Sequence, residues 1–454
     1  TISPTFCASK WYDAVIFLNE GRTKSCHHTP AHKINSVDVE FNPSALHNTL
    51  DKKKQRVQML AGERPEACRY CWNVEDAAGE NAYPDRVPYT HRYSEKDITT
   101  AAESPTNWDS HLRTLEVSFD RTCNFACSYC GPRFSTTWAK DIKNNGVYLL
   151  QVPYYDQDGS ELAEPYGRYN EGNPYLEAFW KWWPELSQTL DQFRITGGEP
   201  IMSMSFWKLV RIIRREGIRD DMLISVNSNL GSKESLITAF IEFTHTVSRF
   251  SLFTSCEAQG KAAEYLRDGL DYDYWFSNLN RIMTEGNVEQ TTIMTTITAA
   301  SLYSFTEFLD DVLTFRESGS HNLLISFNLL KAPAFMSVLI LPEDMRDDRA
   351  SELEEWERYN SNRLSDWESN GVRKVIAYLR EGKDPLWTED LRTRMRNELD
   401  FYLFYRQYDE RRDKSFCDTF SAELVEWYKE LADQYEEDIN KYHKFKASGR
   451  NAKV

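Results

Sequence analysis

Thr122-Cys123-Asn124-Phe125-Ala126-Cys127-Ser128-Tyr129-Cys130-Gly131-Pro132 sets three cysteines on one short loop, spaced C-x3-C-x2-C. The loop follows the apolar run Thr114–Phe119, which reads as a strand. Three thiolates so placed can ligate three irons of a cubane [4Fe–4S] cluster and leave the fourth iron open. A cluster closed by four protein thiolates mainly carries electrons, whereas an open iron can bind and reduce a substrate. The competing reading is zinc, which usually takes four ligands in paired C-x2-C or C/H spacings.

Outward from this loop the chain changes character. From Leu112 onward, apolar runs bounded by turns alternate with helical patterns, the mark of β/α units on a parallel sheet. The expected strands are Thr114–Phe119, Gln192–Thr196, Leu223–Asn227, Arg249–Ser255, Thr291–Thr298 and Asn322–Asn328. Helices such as Ser205–Glu216, Glu234–Thr244 and Tyr272–Thr284 lie between them. This is an α/β chain with a partial or distorted barrel of six units, since an eight-unit barrel needs more strands. Residues 111–345 form that barrel, interrupted at Gly146–Gly172 by a Tyr-, Asp- and Gly-rich insertion that reads as a surface loop or a lid. After Pro342 the chain turns helical and charged. Arg349–Glu381, Glu389–Tyr408 and Ser421–Tyr442 are expected as the long helices of a C-terminal appendage, residues 346–454, with their charge runs on solvated faces.

Residues 1–110 read as turn-rich and irregular, with one amphipathic helix over Ala45–Ala61. They carry Cys7, Cys26, Cys68 and Cys71, so seven of the nine cysteines fall before position 131. That is too sparse for a disulfide scaffold, and clustered cysteines without an export signal point to metal or redox chemistry. Four thiolates close one [4Fe–4S] cluster completely, or one tetrahedral zinc site. His27 and His28 adjoin Cys26 and could replace a ligand, although a supporting or surface role is the plainer reading. Cys256 reads as a small buried hydrophobe.

Composition limits the function further. The 454 residues are 41% hydrophobic, enough for a sizeable core. A net charge of −16 argues against nucleic-acid binding through phosphate neutralisation. No run reaches the length of a membrane span, and no basic-then-apolar secretory signal opens the sequence, so a cytoplasmic location is expected.

The cysteine loop, with Tyr129 before its last cysteine and Gly131-Pro132 and Trp138 after it, resembles the signature of the radical S-adenosylmethionine superfamily. Further elements follow in the same order. Thr196-Gly197-Gly198-Glu199-Pro200 resembles the family's GGEP motif, which contacts the methionyl amino group. Paired glycines let the backbone approach a ligand, and a carboxylate suits an ammonium. Asn227, in Ser225-Val-Asn227-Ser-Asn229, matches a polar strand end near the ribose. Ser255, in Ser255-Cys256-Glu257, stands where the family has Ser-x-Asp, and Arg267 where relatives bind the carboxylate of S-adenosylmethionine. Thr296 and the Asn328–Pro333 stretch resemble later strand ends lining the same mouth.

Cys7, thirteen residues, Gly21, four residues and Cys26 resemble the opening of the auxiliary-cluster modules called SPASM and twitch domains, with Cys68 and Cys71 supplying the remaining pair. Here the module precedes the barrel, and its cysteines suffice for one cluster, so the resemblance is to a twitch-type module in reversed order.

The resemblance implies two [4Fe–4S] clusters and S-adenosylmethionine, with a one-electron donor such as flavodoxin or ferredoxin. Reductive cleavage would give methionine and a 5′-deoxyadenosyl radical that abstracts a substrate hydrogen. An auxiliary cluster that accepts or relays an electron implies net oxidation, first of a peptide or protein side chain, alternatively dehydrogenation or epimerisation of a sugar or small metabolite. A non-catalytic, zinc-stabilised binding protein is the alternative of another class.

Overall fold

The computed structural model describes residues 2–78, 84–104, 108–152, 172–319, 322–383 and 390–440. Contacts divide the chain into two compact units. Residues 1–121, 164–227 and 243–250 form the first, and residues 122–163, 228–242 and 251–454 the second. Among the described residues the strands are β1 (Asp13–Phe17), β2 (Arg22–Lys24), β3 (His32–Lys33), β4 (Thr114–Ser118), β5 (Ala126–Cys127), β6 (Gln192–Thr196), β7 (Leu223–Ser228), β8 (Arg249–Ser255), β9 (Arg267–Asp268), β10 (Gln290–Ile297) and β11 (Leu323–Leu329). The chain is mixed α/β, with parallel pairing in both units.

In the first unit the strand order is β3-β2-β1-β4-β6-β7. β4, β6 and β7 pair in parallel, and their alternate residues Leu115, Val117, Phe193, Ile195, Ile224 and Val226 are fully buried. The helix Pro174–Thr189 begins where the Asn173 side chain accepts from the amides of Tyr175 and Leu176, with Pro174 in the first turn. Its Trp183 packs on Phe193 at 5.2 Å between ring centroids.

Two expectations for the N-terminal residues need correction. They are not irregular: β1 pairs in parallel with β4 over its full length, Asp13 to Thr114 and Phe17 to Ser118, and antiparallel with β2. Asp13-Ala-Val-Ile-Phe17 is buried along most of its length. It therefore lacks the alternation that marks a half-buried strand. The helix expected over Ala45–Ala61 is two elements, a 3-10 turn Pro43–Leu46 and a helix Leu50–Leu60. Between them Thr49 caps the second by accepting from the Lys52 amide, and Asn48 donates to the Ser110 carbonyl.

In the second unit β8, β10 and β11 pair in parallel. β5 and β9 form a short antiparallel pair, Ala126 to Asp268 and Cys127 to Arg267. The expected Arg349–Glu381 helix is two, Glu343–Asn360 and Asp366–Glu381, because Ser365 and Glu368 form a capping box that starts a new helix. The helix Leu391–Arg412 leaves Arg392, Arg394, Arg396, Arg406 and Glu410 exposed and turns an apolar, aromatic face inward. It buries Leu399, Phe401, Leu403, Phe404, Tyr405 and Tyr408. The insertion expected over Gly146–Gly172 falls for the most part outside the described residues. No described helix is long and apolar enough to cross a membrane.

Candidate functional site

The C-x3-C-x2-C loop belongs to the second unit, and its backbone is held near every cysteine. The Cys123 amide donates to Thr136 Oγ1 (3.1 Å), and Thr137 Oγ1 donates to the Cys123 carbonyl (2.7 Å). Both threonines open the helix Thr136–Asn145, capped by Ser135, whose hydroxyl also donates to the Phe125 carbonyl (2.7 Å). Cys127 lies in β5 against Arg267, and its carbonyl accepts from Trp138 Nε1 at 2.8 Å. The Cys130 amide donates to the Cys127 carbonyl at 2.9 Å, closing a turn. Asn229 Nδ2 donates to Asn124 Oδ1 (2.9 Å) and lies 3.8 Å from Cys123 Sγ.

The support behind the loop comes from the helix Leu391–Arg412. The Tyr408 hydroxyl lies 3.1 Å from the carbonyls of both Ala126 and Tyr265 and donates between them. Arg412 sits over the rings of Trp138 (4.8 Å) and Tyr408 (4.0 Å) and pairs with Asp268 at 3.2 Å. Tyr408 and Arg412 escaped the sequence reading, because a charged helix pattern does not reveal which aromatic face is buried.

Arg267 is placed differently from expectation. Its guanidinium is buried against Glu257, with Nε 3.0 Å from both carboxylate oxygens and Nη2 2.6 Å from Oε2. Its Nη1 lies 4.0 Å from Cys127 Sγ, and its guanidinium 5.5 Å from the Tyr129 ring centroid. Tyr129 donates its hydroxyl to Glu257 Oε1 at 3.0 Å. Tyr129, Glu257 and Arg267 thus form one buried network at Cys127. Ser255 ends β8 half-buried. Cys256 is fully buried, as expected. Burial pushes the Cys127 thiol up to about 11, opposed by the Arg267 charge. It pushes Cys130 up to about 12, with Cys127 adding to the rise.

The Gly197–Pro200 segment belongs to the first unit, directly after β6. Gly197 has φ +129°, and a Cβ there would lie 2.6 Å from the Asp120 carbonyl oxygen, so only glycine fits. The Gly198 amide donates to that carbonyl (3.3 Å), and Ser203 donates to Asp120 Oδ2 (2.5 Å). Glu199 is buried and accepts from the Ile201 amide at 3.2 Å, capping the turn Pro200–Met202. Asn227 Oδ1 accepts from Arg194 Nε at 2.8 Å.

The four N-terminal cysteines come together in the first unit. Cys7, Cys26, Cys68 and Cys71 line one cavity, with Lys10, Ser25, His28, Tyr70, Trp72 and Arg86 also in its wall. The C-x13-G-x4-C spacing has a structural cause. It spans the hairpin of β1 and β2, whose turn holds Gly21 at φ +62° under the Tyr175 ring, which a Cβ would strike at 2.2 Å. Cys68 ends a 3-10 turn and Cys71 lies in the first turn of the helix Arg69–Ala78. Burial, then Cys26, pushes the Cys7 thiol up to about 12, and burial pushes Cys71 up to about 11.

Among the described residues, no three His, Cys, Asp or Glu side chains are close enough to clasp a single metal ion. A zinc ion bonds each sulfur at about 2.3 Å and so draws its thiolates within about 4 Å of one another. By donor type the four thiols suit either a tetrahedral zinc or a closed iron–sulfur cluster. The cavity has the donor set for an iron–sulfur cluster, and the buried Ser25 hydroxyl in its wall has no hydrogen-bond partner among the described residues. His28 stacks on Tyr70 at 3.8 Å with Nε2 2.5 Å from Asp85, at the cavity wall, whereas His27 faces Glu116 at 3.6 Å.

No protein-family model and no curated protein matches the sequence. A search of solved structures finds likeness to a crystal structure of Streptococcus suis SuiB bound to the precursor peptide SuiA. The identity is 11% and the TM-score 0.34, over 78% of this chain and 70% of that one. A TM-score of 0.34 is too low to establish a common fold.

Proposed function

We propose that this chain is a radical S-adenosylmethionine enzyme with a partial-barrel catalytic domain and an N-terminal, twitch-like auxiliary-cluster module. The observation that carries the proposal is the three-cysteine loop, fixed through hydrogen bonds at Cys123, Cys127 and Cys130 and backed by Trp138 and Tyr408. A [4Fe–4S] cluster bound there would supply one electron for cleavage of the sulfonium of S-adenosylmethionine, the source of a hydrogen-abstracting radical.

The protein's own residues divide the remaining work. Cys123, Cys127 and Cys130 would hold the cluster. Glu199, buried and capping the turn Pro200–Met202, would give its carboxylate to the methionyl ammonium as the motif implies, with Gly197 and Gly198 bringing backbone to that ligand. Asn227 and Ser255 are polar strand ends for the ribose side. Arg267, committed to Glu257, acts on the loop by compensating Cys127 and fixing Tyr129; the carboxylate of S-adenosylmethionine needs another donor or a rearrangement of this pair. Cys7, Cys26, Cys68 and Cys71 hold a second cluster, which suits an oxidative reaction. The substrate class that fits best is a peptide or protein side chain, with a sugar or small metabolite second. A flavodoxin- or ferredoxin-like donor would supply the electron in the cytoplasm.

The test is anaerobic incubation of the reconstituted protein with dithionite and S-adenosylmethionine. The expected products are 5′-deoxyadenosine and methionine from wild type and none from Cys127→Ala. An iron-replete wild type that leaves S-adenosylmethionine intact would overturn the proposal.

A further inference from the structure

Lys10 is a buried basic side chain in the wall of the four-cysteine cavity, and Lys52 and Arg56 lie behind it; burial, then the charges of Arg56 and Lys10, holds Lys52 well below the usual lysine range. Lys10 is 2% exposed, Lys52 0% and Arg56 1%, and none of the three forms an ion pair among the described residues. Lys10 donates to Gln55 Oε1 and stands with Cys68 in the cavity wall, where its charge opposes the upward push of burial on the Cys68 thiol. Behind it, Lys52 Nζ lies 3.0 Å from Thr23 Oγ1 and 3.2 Å from His47 Nδ1, and Arg56 Nε donates to the Lys10 carbonyl at 2.8 Å. Asp13 is the buried carboxylate whose charge reaches Lys52, but it is engaged by Ser9 at 2.5 Å and by Tyr93.

An uncompensated ammonium in a protein interior is costly, so a buried basic group ordinarily has an anionic partner or gives up its proton. Four thiolates around an iron–sulfur cluster are such a partner. Hydrogen bonds and positive charge directed at cluster sulfur favour the reduced, more negative state and raise its potential.

We infer that Lys10, aided by the Ser25 hydroxyl, is the charge-compensating and potential-setting residue of an iron–sulfur cluster held by Cys7, Cys26, Cys68 and Cys71. The inference rests on the proposed auxiliary-cluster reading and extends it to residues that are not ligands. Lys10 acts through the ligand Cys68, so it is a positioning residue.

The experiment is an EPR-monitored redox titration of the full chain, with dithionite as reductant, in a Cys123/Cys127/Cys130→Ala background that isolates the N-terminal signal. Lys10→Met is expected to keep its iron but to lower the reduced-to-oxidised ratio about tenfold at the wild-type midpoint, which is ~59 mV for one electron. Lys10→Arg should recover most of the shift, and Ser25→Ala should move it in the same direction by less. Ser25→Ala removes only an unpartnered hydroxyl, so it and Lys10→Arg carry the test if Lys10→Met does not fold. Unchanged midpoints in Ser25→Ala and every folded Lys10 variant, with iron retained, would refute the inference and leave the auxiliary cluster standing. Absence of any iron in the triple-alanine background would refute the auxiliary-cluster reading itself, and the inference with it.

Discussion

Replacing Arg267 by methionine leaves Glu257 stranded. The two side chains are 6% and 0% exposed, and three contacts of 2.6–3.0 Å join them, so neither charge has recourse to water. Removing one partner of a buried pair costs about 3–5 kcal/mol, chiefly because the remaining charge is uncompensated. For a domain of this size about 2–4 °C of melting temperature corresponds to each kcal/mol, so Arg267→Met should melt about 6–20 °C lower. The assay is calorimetry of the apo chain, with the transition of the second unit assigned from the variant. Arg267→Met with Glu257→Leu removes both charges and should recover most of the loss, because apolar replacements of a buried pair are often neutral. A single variant within 2 °C of wild type, or a double variant no better than the single, would refute the reasoning.

Three further outcomes follow from the geometry. Gly197→Ala forces a side chain into φ +129° and to 2.6 Å from the Asp120 carbonyl; it should cost about 1–3 kcal/mol and weaken S-adenosylmethionine binding, read by melting and equilibrium dialysis. Tyr408→Phe takes the hydroxyl from the Ala126 and Tyr265 carbonyls and should cost about 1–3 kcal/mol, seen as faster loss of the Cys123/Cys127/Cys130 cluster to a chelator. Asp400 is raised to about 6 by burial, against donors at Gln151 and Val152. Its protonated form therefore stabilises the fold fully below about pH 4, and that contribution is lost as pH rises through about 6. Asp400→Asn should accordingly lose less melting temperature than wild type between pH 5 and pH 8.

Much of the second unit's β/α pattern was legible because its strands are short apolar runs between turns. β8 appears at its expected bounds, and β10 and β11 within one residue of theirs. The cysteine spacings were equally legible, since a loop must bring its ligands close in sequence. What stayed hidden depends on partners distant in sequence. β1 is a strand because β4, a hundred residues later, lies beside it. Glu257 matters because Arg267 and Tyr129 converge on it, and Tyr408 because Ala126 offers it a carbonyl. Lys10 looks like a surface lysine until the fold places it in the cavity wall with the four cysteines.

Anaerobic iron and sulfide quantitation after reconstitution weighs the two cysteine sets against each other most directly. Wild type should hold about eight irons, and each set changed to alanine, Cys123/Cys127/Cys130 or Cys7/Cys26/Cys68/Cys71, about four, with S-adenosylmethionine cleavage lost only in the first. Zinc in place of iron in the wild-type protein, or iron that survives undiminished in both alanine variants, would contradict the assignment of these cysteines to two clusters.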